Sequence, residues 1–229
     1  MTIAENLARI RAEIDAAAVA VGRDPADVRI LPVSKYHSAD QIREAAAAGY
    51  PLFGENRVQE MQAKHAELAD EGIGFAVIGN VQSNKAKPVA ELAAEVQSLD
   101  SLKLAENLSR RCEALGRRLP VLIQVNTSGE PQKSGIAPEE VVEFATTLQG
   151  LDGLEPKGLM TMALLSDDEA QVAACFQRLV DAQSRIRDAV GGGYDELSMG
   201  MSGDFRLAVA HGSTCVRIGT AIFGPRSAG

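Results

Sequence analysis

Lys35 directly follows an apolar segment, residues 30–34, that is typical of a buried β-strand. Pro32 weakens the strand prediction, because proline has no backbone N–H to donate to a neighbouring strand. Burial of a lysine at a strand end disfavours its charged form and so yields a free amine. A free amine is the nucleophile that forms a Schiff base with a carbonyl group. By position alone, the better explanation is an ordinary lysine that pairs with a carboxylate such as Glu55.

Two glycine-containing turns near the end of the chain could bind a phosphate group. Ser202 and Gly203 could begin a short helix that extends to about residue 210, and Gly219 and Thr220 begin the last helical segment. The first N–H groups of a helix have no acceptor within the helix, so two adjacent helix starts suit a phosphate. Each turn taken by itself is better explained as ordinary turn chemistry.

Arg217 lies two residues before Gly219 and is expected to point into the same end of the fold. Its simpler alternative is an ion pair with a carboxylate such as Glu55. A lysine for an aldehyde, two turns for a phosphate and an arginine between them describe a site for an aldehyde phosphate, such as pyridoxal 5′-phosphate. A cofactor-free class I aldolase would also use a barrel lysine and a phosphate site, although its lysine usually follows a later strand.

Short apolar segments alternate with longer segments of helical period along the chain, which predicts eight strands separated by helices. The predicted strands are residues 30–34, 52–53, 75–78, 96–99, 121–125 and 158–162, and segments around Leu197 and Val216. Strands that alternate with helices pair in parallel, and right-handed crossovers can close eight such units into a barrel. The alternative, an open doubly wound sheet, lacks its Gly-x-Gly-x-x-Gly motif after the first strand.

The predicted fold is therefore an α/β protein, a single (β/α)8 barrel with an extra N-terminal helix that ends at Gly22. Residues 1–229 are expected to form one domain, a length that suits such a barrel. Functional residues of these barrels lie at the carboxyl ends of the strands. Lys35, Arg217 and both glycine turns occupy such positions.

Composition excludes several functions. The 23 basic and 31 acidic residues give a net charge of −8, which argues against a nucleic-acid or anionic-membrane partner. The three histidines and three separated cysteines show no metal-ligand spacing, and the thiols are expected to be reduced and buried. No apolar segment approaches the roughly 20 residues of a membrane span, and the acidic N-terminal segment is not a signal peptide. From the cysteines and the missing signal peptide we expect a cytoplasmic protein. We also expect a monomer, because no surface stripe indicates an interface.

The three histidines and the methionines at strand ends have ordinary structural explanations. His37 is expected to be a solvated loop residue, His211 a turn residue, and His65 a packing residue on the apolar face of its helix. Packing is also the expected role of the strand-end methionines, which are Met160, Met162, Met199 and Met201.

The ordered set of these motifs resembles the pyridoxal phosphate homeostasis proteins. The shared segments include V-S-K at 33–35, F-G-E-N at 53–56, L-S-M-G-M-S at 197–202 and V-R-I-G at 216–219. The resemblance implies a barrel of the alanine racemase N-terminal type that holds pyridoxal 5′-phosphate as a Schiff base. It also implies a cofactor-binding set that consists of Lys35, Asn56, Ser202, Gly203, Arg217, Gly219 and Thr220.

Within that set, the resemblance implies that Lys35 forms the Schiff base and that Arg217 contacts the pyridine nitrogen of the cofactor. It assigns the phosphate to both glycine turns, and Asn80 is a weaker candidate for the same pocket. The sequence departs from the family pattern around the cofactor mouth. Tyr-His-Ser at 36–38 replaces Thr-Lys-Pro, Phe-Ala at 75–76 replaces Trp and His, and Arg57 replaces a tyrosine. These departures leave open what covers the ligand.

The resemblance also bears on catalysis. Alanine racemases carry a second, β-rich domain that supplies a tyrosine base, and two-base racemisation needs a proton donor on each face of the cofactor. This sequence ends at residue 229, and Lys35 is its only convincing base. We therefore expect a non-catalytic pyridoxal phosphate carrier in vitamin B6 homeostasis, with apo forms of pyridoxal phosphate enzymes as candidate partners. The alternative is a small pyridoxal phosphate-dependent amino-acid racemase.

Overall fold

The computed structural model describes residues 1–225, so the last four residues of the expected domain, 226–229, lie outside the described residues. The strands are β1 (Arg29–Pro32), β2 (Leu52–Glu55), β3 (Gly74–Val77), β4 (Glu95–Leu99), β5 (Leu119–Gln124), β6 (Leu154–Met160), β7 (Glu196–Ser198) and β8 (Cys215–Ile218). The helices are α1 (Ile3–Ala20), α2 (Ala39–Ala47), α3 (Val58–Glu67), α4 (Ala86–Leu92), α5 (Leu102–Ala114), α6 (Val141–Leu148), α7 (Glu169–Val190), α8 (Phe205–Ala210) and α9 (Thr220–Phe223). Each strand is followed by a helix, as the alternating pattern predicts.

The eight strands form one parallel sheet in the order β1-β8-β7-β6-β5-β4-β3-β2. A bridge between Val33 and Gly54 joins the two ends of this sheet, and the Ser34 N–H donates to the Gly54 carbonyl at 3.1 Å. The sheet is therefore a nearly closed barrel rather than an open doubly wound sheet, which confirms the predicted fold. The seam lies between β1 and β2, the strands that precede Lys35 and Asn56.

Pro32 is accommodated because it is the last residue of β1. It lies opposite Ile218 of β8, and the next N–H, that of Val33, donates to the Ile218 carbonyl at 2.8 Å. The strand therefore ends two residues earlier than predicted, and its final hydrogen bond comes from a residue that has a donor. Strand β6 also differs from the prediction, since it begins at Leu154 rather than residue 158.

Helix α1 is the predicted extra helix, and it packs against α2, α8 and α9. Thr2 and Glu5 form a capping box at its start, and its apolar face is buried at Ile3, Leu7, Ile10, Ile14 and Ala18. The side chain of Asn6 donates to the Ile222 carbonyl at 2.8 Å. Helix α1 thus holds α9, the helix that follows the last strand, in place.

Half-buried ionisable groups lie at the other end of the barrel from Lys35. At the amino ends of the strands, Arg29 pairs with Glu95 and Glu196, and burial raises the pKa of Glu196. The cysteines are free and buried, as expected, and burial raises the pKa of Cys215 to about 11. Such a thiol carries little reactive thiolate at neutral pH. Within residues 1–225, no helix has both the length and the apolar character to cross a membrane.

Candidate functional site

A cleft of about 490 Å³ opens at the carboxyl ends of the strands, a volume within the usual range for small-molecule sites. All seven residues of the predicted cofactor-binding set line it, namely Lys35, Asn56, Ser202, Gly203, Arg217, Gly219 and Thr220. Asn80 lines it as well. The rest of the lining is Val33, Ile78, Gly79, Met162 and Met201. The tertiary structure therefore brings together predicted residues as far apart in the chain as Lys35 and Thr220, which are separated by 185 positions.

Lys35 lies on the wall of this cleft, just beyond the end of β1, and is half-buried. It occupies a tight turn in which the His37 N–H donates to the Ser34 carbonyl at 3.0 Å. Tyr36, the next residue in the turn, has a φ of +67°, in the left-handed region that non-glycine residues rarely adopt. Lys35 therefore lies in a turn whose next residue, Tyr36, has an unusual backbone conformation.

Arg217 lies on β8 with only 4% of its surface exposed. Its Nη1 donates to the Ser198 hydroxyl at 2.7 Å and its Nη2 donates to the Thr161 carbonyl at 2.7 Å. Within the described residues it forms no salt bridge, so the alternative of an ion pair with Glu55 is wrong. Burial lowers the pKa of Arg217, because the loss of solvation outweighs the attraction of Cys215 and Asp204. The cleft therefore contains a buried cation whose protein partners are neutral oxygens.

Glu55 pairs instead with Lys64, at 2.7 Å from Oε1, and the same oxygen accepts from the Ser34 hydroxyl at 2.6 Å. Its other oxygen, Oε2, is buried and has no hydrogen-bond partner in the part of the chain that the structure describes. Burial raises the pKa of Glu55, although both partners oppose that shift. Lys64 was not predicted to have a role.

The apolar pattern assigned His65 to the buried face of α3, but the structure buries Lys64 and leaves His65 half-buried. Lys64 can be buried because Glu55 and Glu60 both accept from its ammonium group. The sequence feature that could have indicated this ion pair is the spacing of Glu60 and Lys64, which lie four residues apart on one helix.

The turns after β7 and β8 supply the predicted phosphate side of the cleft. The backbone N–H groups of Ser202, Gly203, Gly219 and Thr220 have no acceptor within the described residues. A Cβ atom added to Gly203 would meet no atom within 4 Å, so the backbone there is open to an approaching anion. Four backbone donors at one end of a cleft can bind the oxygens of a phosphate.

Helix α8 starts later than predicted. It begins at Phe205 rather than at Ser202, since the Asp204 carboxylate accepts from the Met201 N–H at 2.6 Å and stabilises a turn over residues 201–204. Ser202 and Gly203 therefore belong to this turn and not to the helix. Gly219 directly precedes α9, as predicted.

Gly79 fixes the opposite rim of the cleft. A Cβ atom at this position would lie 2.2 Å from the Asn56 carbonyl oxygen, which no side chain could tolerate. The loops after β2 and β3 can therefore approach each other closely enough for Asn56 and Asn80 to face the same opening.

Two of the four strand-end methionines differ from the packing prediction. Met160 and Met199 are fully buried, as predicted, whereas Met162 and Met201 are 38% and 40% exposed and line the cleft. Met162 and Met201 lie further along the chain, in the loops after β6 and β7, where the cleft opens.

His37 is buried rather than solvated. Its ring stacks on that of Phe223 in α9, with 4.8 Å between centroids, and burial lowers its pKa. Phe223 lies 186 positions further along the chain, so the local sequence did not indicate this contact. His211 caps the end of α8, where its ring contacts the Leu207 carbonyl at 2.8 Å, in agreement with the turn prediction.

Comparisons with known proteins agree with this architecture. The family model described as alanine racemase, N-terminal domain, matches residues 5–227. The pyridoxal phosphate homeostasis protein of Pseudomonas aeruginosa is 46% identical over 228 residues, which cover 100% of this chain and 97% of that protein. The protein of the same name from Vibrio alginolyticus is 42% identical and covers 98% of each chain. The structure of PipY from Synechococcus elongatus PCC7942 with PLP bound has a TM-score of 0.86 at 39% identity, covering 97% of this chain and 100% of PipY.

Proposed function

Because the chain belongs to the alanine racemase N-terminal domain family and, within it, to the pyridoxal phosphate homeostasis proteins, we propose that it binds pyridoxal 5′-phosphate as a Schiff base on Lys35. The convergence of the seven predicted residues on one cleft carries this proposal. Relatives of this name match along essentially the whole chain, and the PipY structure contains PLP. We propose that residues 1–229 act as one binding domain and as a monomer.

The residues that line the cleft fit this cofactor at its phosphate, its ring nitrogen and its aldehyde. The backbone N–H groups at Ser202, Gly203, Gly219 and Thr220 have no acceptor among residues 1–225 and would hold the phosphate, and Arg217 would offer a hydrogen-bond donor to the ring nitrogen. An arginine at this position would keep the pyridine nitrogen unprotonated, and the ring would then be a poorer electron sink. When bound, pyridoxal 5′-phosphate supplies an aldehyde carbon, an electrophile that an amine attacks reversibly. The half-buried amine of Lys35 remains within reach of incoming amines, which suits transfer to apo-enzymes.

The ionisable groups of the cleft favour binding over turnover. Among the described residues that line it, Lys35 and Arg217 carry the only strongly acidic or basic side chains. A racemase would need a second proton donor facing Lys35 across the ligand, and no tyrosine, histidine or carboxylic acid of the described chain lines the cleft. A carrier without catalytic turnover is therefore the function that this lining supports best.

Borohydride reduction followed by peptide mass spectrometry tests the assigned lysine. Protein incubated with pyridoxal 5′-phosphate and reduced should carry a pyridoxyl mass on Lys35. The Lys35→Ala variant should lose that mass and the visible absorbance, whereas Lys87→Ala, which removes an exposed lysine from α4, should keep both. Modification that is unchanged in Lys35→Ala would overturn the assignment. A substrate-derived mass on Lys35 without added cofactor would instead indicate an aldolase.

Chiral analysis separates the carrier from the racemase. The loaded protein incubated with L-alanine, L-serine or L-glutamate should yield no more D-enantiomer than free pyridoxal 5′-phosphate at the same concentration. Sustained turnover that disappears in Lys35→Ala would establish a racemase instead.

A further inference from the structure

The turn that carries Lys35 is held from both sides by two charged side chains of α3. We propose that Glu60 and Lys64 are positioning residues, which fix the backbone on either side of Lys35 and so aim its amine into the cleft. This inference rests on the proposed function, because it concerns how the chain presents the amine that binds the aldehyde.

Lys64 holds the residue before Lys35. Its Nζ donates to the Ser34 carbonyl at 2.7 Å, and also to Glu55 Oε1 and Glu60 Oε1, each at 2.7 Å. These contacts use all three N–H donors of an ammonium group. Lys64 is only 7% exposed, so it lies at the base of the turn rather than in the cleft. A buried ammonium group with three short hydrogen bonds has little freedom to move, and the Ser34 carbonyl is fixed with it.

Glu60 holds the residue after Lys35. The Tyr36 N–H donates to Glu60 Oε1 at 2.5 Å, the same oxygen that accepts from Lys64. Tyr36 adopts its φ of +67° at the third position of a four-residue turn, where glycine or asparagine is usual. A side chain in this region persists only where the surrounding structure maintains it. The hydrogen bond that Tyr36 donates to Glu60 supplies that restraint.

Both restraints converge on one carboxylate oxygen, so the loss of Glu60 releases Tyr36 and weakens the hold of Lys64. The phosphate donors lie on different elements, the turns after β7 and β8, and contact neither residue of α3. A change at Glu60 should therefore reduce the covalent part of cofactor binding and leave the noncovalent part unchanged.

Two ligands distinguish the covalent from the noncovalent part of binding. Pyridoxal 5′-phosphate has the aldehyde, whereas pyridoxine 5′-phosphate has an alcohol in its place and cannot form a C=N bond. The ratio of their dissociation constants, measured by titration, reports the contribution of Lys35. The variants are Glu60→Ala, which removes the acceptor, and Glu60→Gln, which keeps an oxygen acceptor without the charge. Glu91→Ala is the matched control, because Glu91 forms an i,i+4 pair with Lys87 on α4 at 3.8 Å.

In Glu60→Ala, the preference for the aldehyde should fall about tenfold, while the dissociation constant for pyridoxine 5′-phosphate stays at the wild-type value. Glu60→Gln should restore most of the preference, and Glu91→Ala should match the wild type. A preference that is unchanged in Glu60→Ala would overturn the positioning role alone. Equal loss of affinity for both ligands would also overturn it, because a general structural defect has that effect. A wild-type protein without any aldehyde preference would overturn the function proposed for Lys35 itself.

Discussion

The guanidinium of Arg217 donates a hydrogen bond of 2.7 Å to the hydroxyl of Ser198, and that hydroxyl donates to Gln97 Oε1 at 2.7 Å. The hydroxyl therefore connects β8, β7 and β4 across the interior of the barrel. Because Ser198 accepts from one neighbour and donates to the other, it fixes the orientation of the arginine without neutralising its charge. The guanidinium remains available to an uncharged acceptor in the cleft.

Ser198→Ala should lower the free energy of unfolding by about 1–3 kcal/mol, since it leaves buried groups of Arg217 and Gln97 without their partner. It should also weaken the binding of pyridoxine 5′-phosphate, because Arg217 is no longer held towards the ring nitrogen. Urea unfolding and ligand titration measure the two effects.

Ser213→Ala is the matched control for this change. Ser213 is equally buried, but its hydroxyl donates to the Met199 carbonyl and does not contact Arg217. We expect it to lower stability while it leaves the ligand affinity unchanged. If both alanine variants bind pyridoxine 5′-phosphate as the wild type does, Ser198 does not orient Arg217 for binding.

Gly203→Asp should weaken phosphate binding without a loss of stability. A side chain at Gly203 meets no atom within 4 Å, so the aspartate fits, but its carboxylate repels the phosphate from the N–H donors. The dissociation constant of pyridoxine 5′-phosphate should rise about tenfold or more. Gly192→Asp adds the same charge at an equally open glycine in the loop before β7 and should bind as the wild type does. Equal affinities in the two variants would place the phosphate elsewhere.

Gly79→Ala should be destabilising, because its Cβ atom would overlap the Asn56 carbonyl oxygen at 2.2 Å. We expect a loss of about 1–3 kcal/mol in the free energy of unfolding, the usual range for overpacking. Displacement of Asn56 should also weaken ligand binding. Urea unfolding compares this variant with Gly192→Ala, whose Cβ meets nothing. A Gly79→Ala variant as stable as that control would contradict the close approach of the two loops.

His37 should make stability sensitive to mild acid. Burial lowers its pKa in the folded protein below the ordinary value of 6.5, so the unfolded chain takes up a proton first as the pH falls. The contribution to stability is present above that ordinary value and is lost as the pH falls towards the folded-state value. Between pH 7.5 and 5.5, the wild type should lose more unfolding free energy than His37→Gln, as measured in urea. Identical losses would show that His37 does not contribute.

Much of the fold could be predicted, because each element depends on residues close to it in the chain. The apolar residues at helical spacing before Gly22 predict a helix that the structure confirms as α1. The strands that precede Lys35 and Gly219 were located within a few residues. Their ends were less well predicted, since the bridge of Val33 to Gly54 depends on a strand that lies elsewhere in the chain.

The surroundings of the candidate site were predicted less well. The sequence analysis gives Lys64 no role and expects His37 to be solvated, whereas both are buried. Each has a contact with a residue distant in sequence, since Lys64 donates to the Ser34 carbonyl and His37 stacks on Phe223. Local periodicity contains no information about such contacts.

The amino-acid sequence by itself determined that the chain alternates strands and helices and which residue types stand at the carboxyl ends of the strands. Hydrophobic period, capping residues and glycine turns are local properties, so they could be read without coordinates. Closure of the barrel decided which of those residues meet, and the packing around them decided their partners. Arg217 binds Ser198 rather than Glu55, and Glu55 binds Lys64, because burial requires each charge to find its partner among the groups that the fold brings within reach.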